Sequence, residues 1–122
     1  MTRRVLIVDD EKPLARALEL KLTHEGIESK AVFNGVEAID ALKSESYNLV
    51  LLDIVMPKED GFKVLENIKK LKINTVVIVS SNLSQEEDIV KAKALGAVDY
   101  YVKSDTTLAS IVELIEKYLQ NN

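Results

Sequence analysis

Five short apolar runs, separated by longer segments of helical period, restrict this chain more than any other feature. The runs are VLIV from Val5, KAVF ending at Phe33, LVLL from Leu49, VVIV from Val76 and VDYYV from Val98. A parallel strand covered by helices on both faces has no polar side, so it reads as nearly continuous apolar sequence, whereas the mixed second run suits a sheet edge. Between the runs, apolar residues recur three or four apart. Leu14, Leu18 and Leu22 form one stripe, Ile39 and Leu42 a second, Val64, Leu65 and Ile68 a third, and Ile89, Ala92 and Leu95 a fourth. Leu108, Ile111, Leu114, Ile115 and Leu119 make the last. Gly26 and Gly96 read as helix stops and Pro13 as a first-turn residue. Five strand and helix repeats imply an α/β domain on a parallel sheet with right-handed crossovers.

At 122 residues the chain suits one domain, expected to span 1–122 with no output domain after Leu119, and is too short for an eightfold barrel of about 250 residues. Its net charge of -4 and scattered basic residues argue against direct nucleic-acid binding. The absence of cysteine excludes a disulfide framework, a thiolate zinc site and a thiol nucleophile. The Arg-Arg start precedes an apolar run too short for a signal peptide, and no stretch is long enough to span a membrane. The expectation is a cytoplasmic protein.

In such a sheet, functional groups collect at the carboxyl ends of the strands. The residues at those ends are Asp9 and Asp10, then Asn34, Asp53, Ser80 with Ser81, and Lys103. Adjacent carboxylates repel and lose hydration near an interior, so the first pair calls for a compensating positive charge. A hard divalent cation, Mg2+ above all, takes carboxylate oxygens, and Lys103 would add a second compensating charge. Asp53 heads LLDIVMPKEDG, where Pro57 and Gly61 bracket a loop that would hold its carboxylate at the mouth of the crevice. A carboxylate can act as a nucleophile toward phosphorus. Phosphoryl transfer demands mainly positioning and neutralisation of oxygen charge, which a cation on Asp10 and Asp53, the Lys103 ammonium and the Ser81 hydroxyl could supply. Read one at a time, each of these residues has an ordinary alternative: a turn acid, a cap, a solvated cation.

Taken together, DD after the first run, D-x-x-M-P-x-x-D-G from Asp53, a hydroxyl after the fourth run and Y-x-x-K from Tyr100 resemble the receiver domain of two-component response regulators. The resemblance runs from Val5 to about Leu119. It implies a flavodoxin-like, doubly wound sheet of order 2-1-3-4-5 with helices on both faces. It implies phosphorylation by a histidine kinase or histidine phosphotransfer protein with Mg2+ as cofactor. By position, Asp53 would be the acceptor, Asp10 a direct metal ligand, Asp9 a ligand through water, Val55 the donor of a metal-bound backbone carbonyl, and Lys103 the partner of the phosphoryl oxygens. Ser81 would be the switch hydroxyl, with Ser80 as the alternative, and Tyr100 the switch aromatic. The new phosphoryl charge would shift the population toward a state that offers it donors, and a separate downstream effector would read the fourth helix, fifth strand and fifth helix. A homodimer formed on phosphorylation is a further partner that the resemblance allows.

The chain departs from the family pattern in two places. Lys103 is followed by Ser104 rather than proline, so a trans bond is expected and the turn from Ser104 to Thr107 should differ in shape. Asn82 stands where the family usually has a small residue, which would narrow access to Asp53. Val55 and Leu83, two residues past the acceptor and the hydroxyl, are apolar and would slow hydrolysis of the phosphoryl group. The single histidine, His24, reads as a helix-end surface residue. Rival readings are an adaptor that keeps the fold without phosphorylation, a small phosphatase with an aspartate nucleophile, and a flavin or nucleotide binder. The phosphatase would want a second acid at Val55, and DDEK after Val8 is not a phosphate-binding loop.

Overall fold

A computed structural model describes residues 3–56, 60–82 and 86–120. Five strands, β1 (Arg4–Val8), β2 (Glu28–Val32), β3 (Leu49–Asp53), β4 (Val76–Ser81) and β5 (Asp99–Val102), alternate with helices α1 (Lys12–His24), α2 (Gly35–Ser44), α3 (Gly61–Lys70), α4 (Glu86–Ala94) and α5 (Leu108–Gln120). All pairings are parallel and the sheet order is β2-β1-β3-β4-β5, as the resemblance implies.

The alternation of side chains along each strand divides the core in two. Leu6, Val8, Val50, Leu52, Val77 and Val79 point to one face, where they pack with Ala38 and Leu42 of α2, Val64, Leu65 and Ile68 of α3, and Ala92 of α4. Val5, Ile7, Leu49, Leu51 and Ile78 point to the other, against Ala15, Leu18 and Leu22 of α1 and Ile111, Val112, Ile115 and Leu119 of α5. Burying a side chain of this size is worth about 1.5–3 kcal/mol, so each central strand is anchored from both sides and its register cannot slip without exposing a whole row. That register aligns Val8 with Leu52, Asp53 with Ser80 and Ser81 with Val102, bringing the strand ends to one edge.

Local signals set the helix ends. Gly26 and Gly96 have φ of +76° and +112°, and the residues after them donate back to Leu22 and Ala92. The Asp60 side chain caps α3 by accepting the Lys63 amide at 3.0 Å. Several boundaries differ from the sequence reading: β1 starts at Arg4, β2 runs from Glu28 to Val32 and leaves out Phe33, β3 takes in Asp53, β4 runs on through Ser80 and Ser81, and Val98 precedes β5. β5 is the second sheet edge, and its four residues are half-buried.

The open edge at β2 is covered by acids from two helices. The Ala31 amide donates to Glu19 Oε2 at 3.1 Å, and the Phe33 amide to Glu37 Oε1 at 2.8 Å. Arg16 holds the other Glu19 oxygen at 2.7 Å, while Arg16 and Lys12 lie 5.2 and 5.1 Å from the centre of the Phe33 ring.

Candidate functional site

The end of β1 delivers Asp9 and Asp10, the end of β3 delivers Asp53, and the turn after β5 delivers Lys103. Asp9 and Asp53 are buried, at 3% and 4% exposure, while Asp10 is open to solvent. One oxygen from each of the three carboxylates lies within 4.8 Å of the others. The Lys103 ammonium, on a side chain only 6% exposed, joins this group. It donates to Asp9 and Asp53, with Nζ 3.0 Å from Asp9 Oδ2 and 3.2 Å from Asp53 Oδ2, and it lies 3.4 Å from Glu11. Backbone amides fix the carboxylates as well. Glu11 N–H donates to Asp9 Oδ1 at 2.9 Å and Val55 N–H to Asp53 Oδ1 at 3.1 Å.

These contacts set the electrostatics. Burial pushes Asp53 up to about 6; Lys103 opposes that rise and the Asp9 charge adds to it. Asp9 is raised by burial too, with the Glu11 amide and Lys103 pulling it down. Burial works against the Lys103 ammonium, but Asp9 and Asp53 outweigh it and hold the lysine above its ordinary value. One ammonium thus contacts three acids, Asp9, Glu11 and Asp53, and Asp10 adds a fourth carboxylate to the group. An excess of negative charge on converging hard oxygens fits a divalent cation such as Mg2+.

Gly61 lets α3 begin directly against the end of β3. A Cβ there would lie 2.5 Å from the Asp53 carbonyl oxygen and 2.6 Å from Ile54 Cα, closer than atoms can approach. Its amide also donates to the Ile54 carbonyl at 2.8 Å. The first residue of α3 therefore rests directly on the end of β3. The sequence marked Gly61 as a loop bracket and did not reveal this contact.

The two serines separate cleanly. Ser81 shares a hydrogen bond with Tyr100, which packs on the α2/α3/α4 side. Ser80 shares one with Tyr101, which packs on the α1/α5 side. Both serines are buried. Burial raises the Tyr100 phenol, and the Ser81 bond partly offsets this. The Tyr101 phenol is raised more strongly, again by burial first. Tyr101 and Glu11 were not singled out from sequence; only the pairing across the sheet and the position of Lys103 expose their roles.

Asn34 does not join the cluster. Its side chain accepts the Glu37 amide at 2.9 Å and caps α2. The Lys103–Ser104 bond is trans, as expected, and Lys103–Asp105 form a single 3-10 turn. Val55 is exposed at 55% beside Asp53, whereas Pro57 and Leu83 lie outside the described residues.

Solved structures share this arrangement of elements. The receiver domain of Francisella response regulator 1452 is 28% identical with a TM-score of 0.91, the match covering 98% of each chain. A CheY-like response regulator receiver domain protein from Methanospirillum hungatei JF-1 is 27% identical with a TM-score of 0.92, over 99% of this chain and 96% of that one. Response regulator protein TrrA from Thermotoga maritima, solved in complex with Mg2+ and BeF, is 33% identical with a TM-score of 0.83, over 96% of this chain and 99% of its own. The family model of the response regulator receiver domain matches residues 5–116, the span that carries every element from β1 into α5. By sequence and by fold, then, this chain belongs to the response regulator receiver domain family.

Proposed function

We propose that this chain is a phosphorylation-dependent switch that accepts a phosphoryl group on Asp53 from a histidine kinase or histidine phosphotransfer protein. Receiver domains are signalling switches rather than classical enzymes, and they work with histidine kinases and effectors. The observation that carries the assignment to Asp53 is its setting: a buried carboxylate at a strand end, bonded to Lys103 and grouped with Asp9 and Asp10.

In the transfer, an Asp53 oxygen attacks phosphorus in line with the phosphorus–nitrogen bond of phosphohistidine. The new phosphorus–oxygen bond forms as the old bond breaks, and the electron pair leaves with the imidazole nitrogen, which takes a proton from solvent. Asp53 must be ionised to attack, and a folded pKa of about 6 leaves it mostly so at pH 7. Mg2+ held by Asp9, Asp10, Asp53 and the Val55 carbonyl would supply positive charge against the carboxylates and the phosphoryl oxygens. Lys103, already between Asp9 and Asp53, is the cation of this chain that would pair with the phosphoryl group. Ser81, joined to Tyr100, would donate to the new phosphoryl oxygens and so shift the population of the α4, β5 and α5 face, where a separate effector would bind. The exposed Val55 side chain would hinder an attacking water and lengthen the phosphoryl lifetime.

The docking of Lys103 without a following proline favours this reading over an adaptor that has lost the chemistry. A small-molecule binder is also disfavoured. A hollow of about 720 Å³ lies at the opposite edge of the sheet, and its Arg4 is already paired with Glu45 and Glu28. Among the described residues no helix is long and apolar enough to cross a membrane. The test is incubation with acetyl phosphate and Mg2+ followed by intact mass. One added phosphoryl group, absent after Asp53→Asn and in EDTA, is expected; a group that persists in Asp53→Asn would move the acceptor elsewhere.

A further inference from the structure

The two departures from the family pattern meet in space. Ser104 N–H donates to Asn82 Oδ1 at 3.1 Å, across 22 residues of sequence. Neither half of this bond would exist in the usual pattern, since proline has no N–H and a small residue has no acceptor. The first amides of a helical turn have no partner within it, and Ser104 is the second residue of the Lys103–Asp105 turn. Asn82 therefore caps that turn from the segment just after β4. The rest of the turn is tied locally, by Thr106 Oγ1 donating to the Val102 carbonyl at 2.8 Å and the Thr106 amide to the Lys103 carbonyl at 3.4 Å. Asn82 is also the residue next to Ser81.

We infer that Asn82 is a positioning residue for Lys103: its bond to Ser104 N–H ties the segment after Ser81 to the turn that carries the lysine. Asp9 and Asp53 hold the ammonium, and Asn82 holds the backbone at its root. A shift of Ser81 toward a phosphoryl group then moves Asn82 and, through it, the base of Lys103. Hydroxyl and ammonium reach the phosphoryl oxygens as one unit. This rests on Asp53 being the phosphoacceptor.

The test has two arms. Exchange of the Ser104 amide with solvent, followed by NMR on the metal-free protein, should be slow in wild type, fast in Asn82→Ala and slow again in Asn82→Asp, which keeps an oxygen in place. Phosphorylation rates with acetyl phosphate and Mg2+ are then measured for wild type, Asn82→Ala, Ser104→Pro and the double variant. Asn82→Ala widens access to Asp53 equally in both backgrounds, so that effect cancels in the cycle. Its remaining effect should be roughly three- to tenfold more damaging with Ser104 than with proline, the range expected for one hydrogen bond. Equal Ser104 exchange in wild type and Asn82→Ala, or single effects that multiply in the double variant, would overturn the inference. Should Ser104→Pro not fold, the phosphorylation rates of Asn82→Ala and Asn82→Asp decide: a rate lost in Asn82→Ala and regained in Asn82→Asp, in step with Ser104 protection, is expected, and rates that do not follow that protection would overturn the inference. A wild type that takes no phosphoryl group overturns the Asp53 reading and the positioning role with it, while a protected Ser104 amide would mark the contact as structural only.

Discussion

Replacing the central acid should make the metal-free protein more stable. Asp53 has an ordinary pKa of 3.8 and is pushed up to about 6 in the fold, chiefly by burial. The folded state therefore binds its proton more tightly than the unfolded chain does, and ionising Asp53 at neutral pH costs stability. The difference of about 2 pH units corresponds to about 3 kcal/mol as an upper value. Asn resembles the protonated acid in shape, keeps an oxygen for Lys103, and leaves that lysine with Asp9 and Glu11. Asp53→Asn is thus expected to gain about 1–3 kcal/mol at pH 7.5, which for a domain of this length raises Tm by about 3–10 °C. The sign of the pH dependence follows from the raised pKa. The wild type carries no penalty below pH 3.8, loses stability as pH rises toward 6, and bears the full cost above it. Thermal melts of both proteins in EDTA, followed by circular dichroism from pH 4 to 8, should show a gap that opens across that window. Added Mg2+ should stabilise the wild type more than the variant, because the variant lacks one anionic ligand. A variant that melts at or below wild type at pH 7.5, or a gap that does not change with pH, would refute the electrostatic account of this site.

Other changes test single contacts. Gly61→Ala forces a Cβ against the Asp53 and Ile54 backbone, so chemical denaturation should show a loss of about 2–4 kcal/mol and the phosphorylation rate should fall with it. Lys103→Met removes the ammonium that opposes the rise of Asp53; a carbon-detected NMR titration should place the Asp53 carboxyl above 6, and phosphorylation should slow at least tenfold. Tyr101→Phe leaves the buried Ser80 hydroxyl without its tyrosine partner and should cost about 1–3 kcal/mol in denaturant melts.

The fold was legible because both faces of the sheet are covered. Val5–Val8, Leu49–Leu52 and Val76–Val79 contribute alternate residues to two separate cores, and such strands can only be written as continuous apolar sequence. Asp9, Asp10, Asp53 and Lys103 could be read for a related reason: where an apolar run ends in a charged residue, the charge marks the mouth of the crevice. Ser80 and Ser81 were harder. Both sit inside β4, and which face each one serves depends on register and on the tyrosines of β5. Asn34 showed the opposite weakness, since a strand-end position and a helix cap look alike in sequence. The Asn82–Ser104 bond and the Gly61 contact join residues distant along the chain or through backbone atoms alone, and neither leaves a periodic trace.

The acids on β2 decide how copies of this domain can meet. An outer strand with free amides would accept a strand from a neighbour, and the Ala31 and Phe33 amides are instead engaged by Glu19 and Glu37. A second chain would have to displace two carboxylates and bring its backbone against Arg16 and Lys12 over the Phe33 ring. Growth of a continuous sheet from this side is blocked by charge. Any contact that extends the sheet is thereby directed away from β2 and toward the β5 flank, the strand that carries Tyr100.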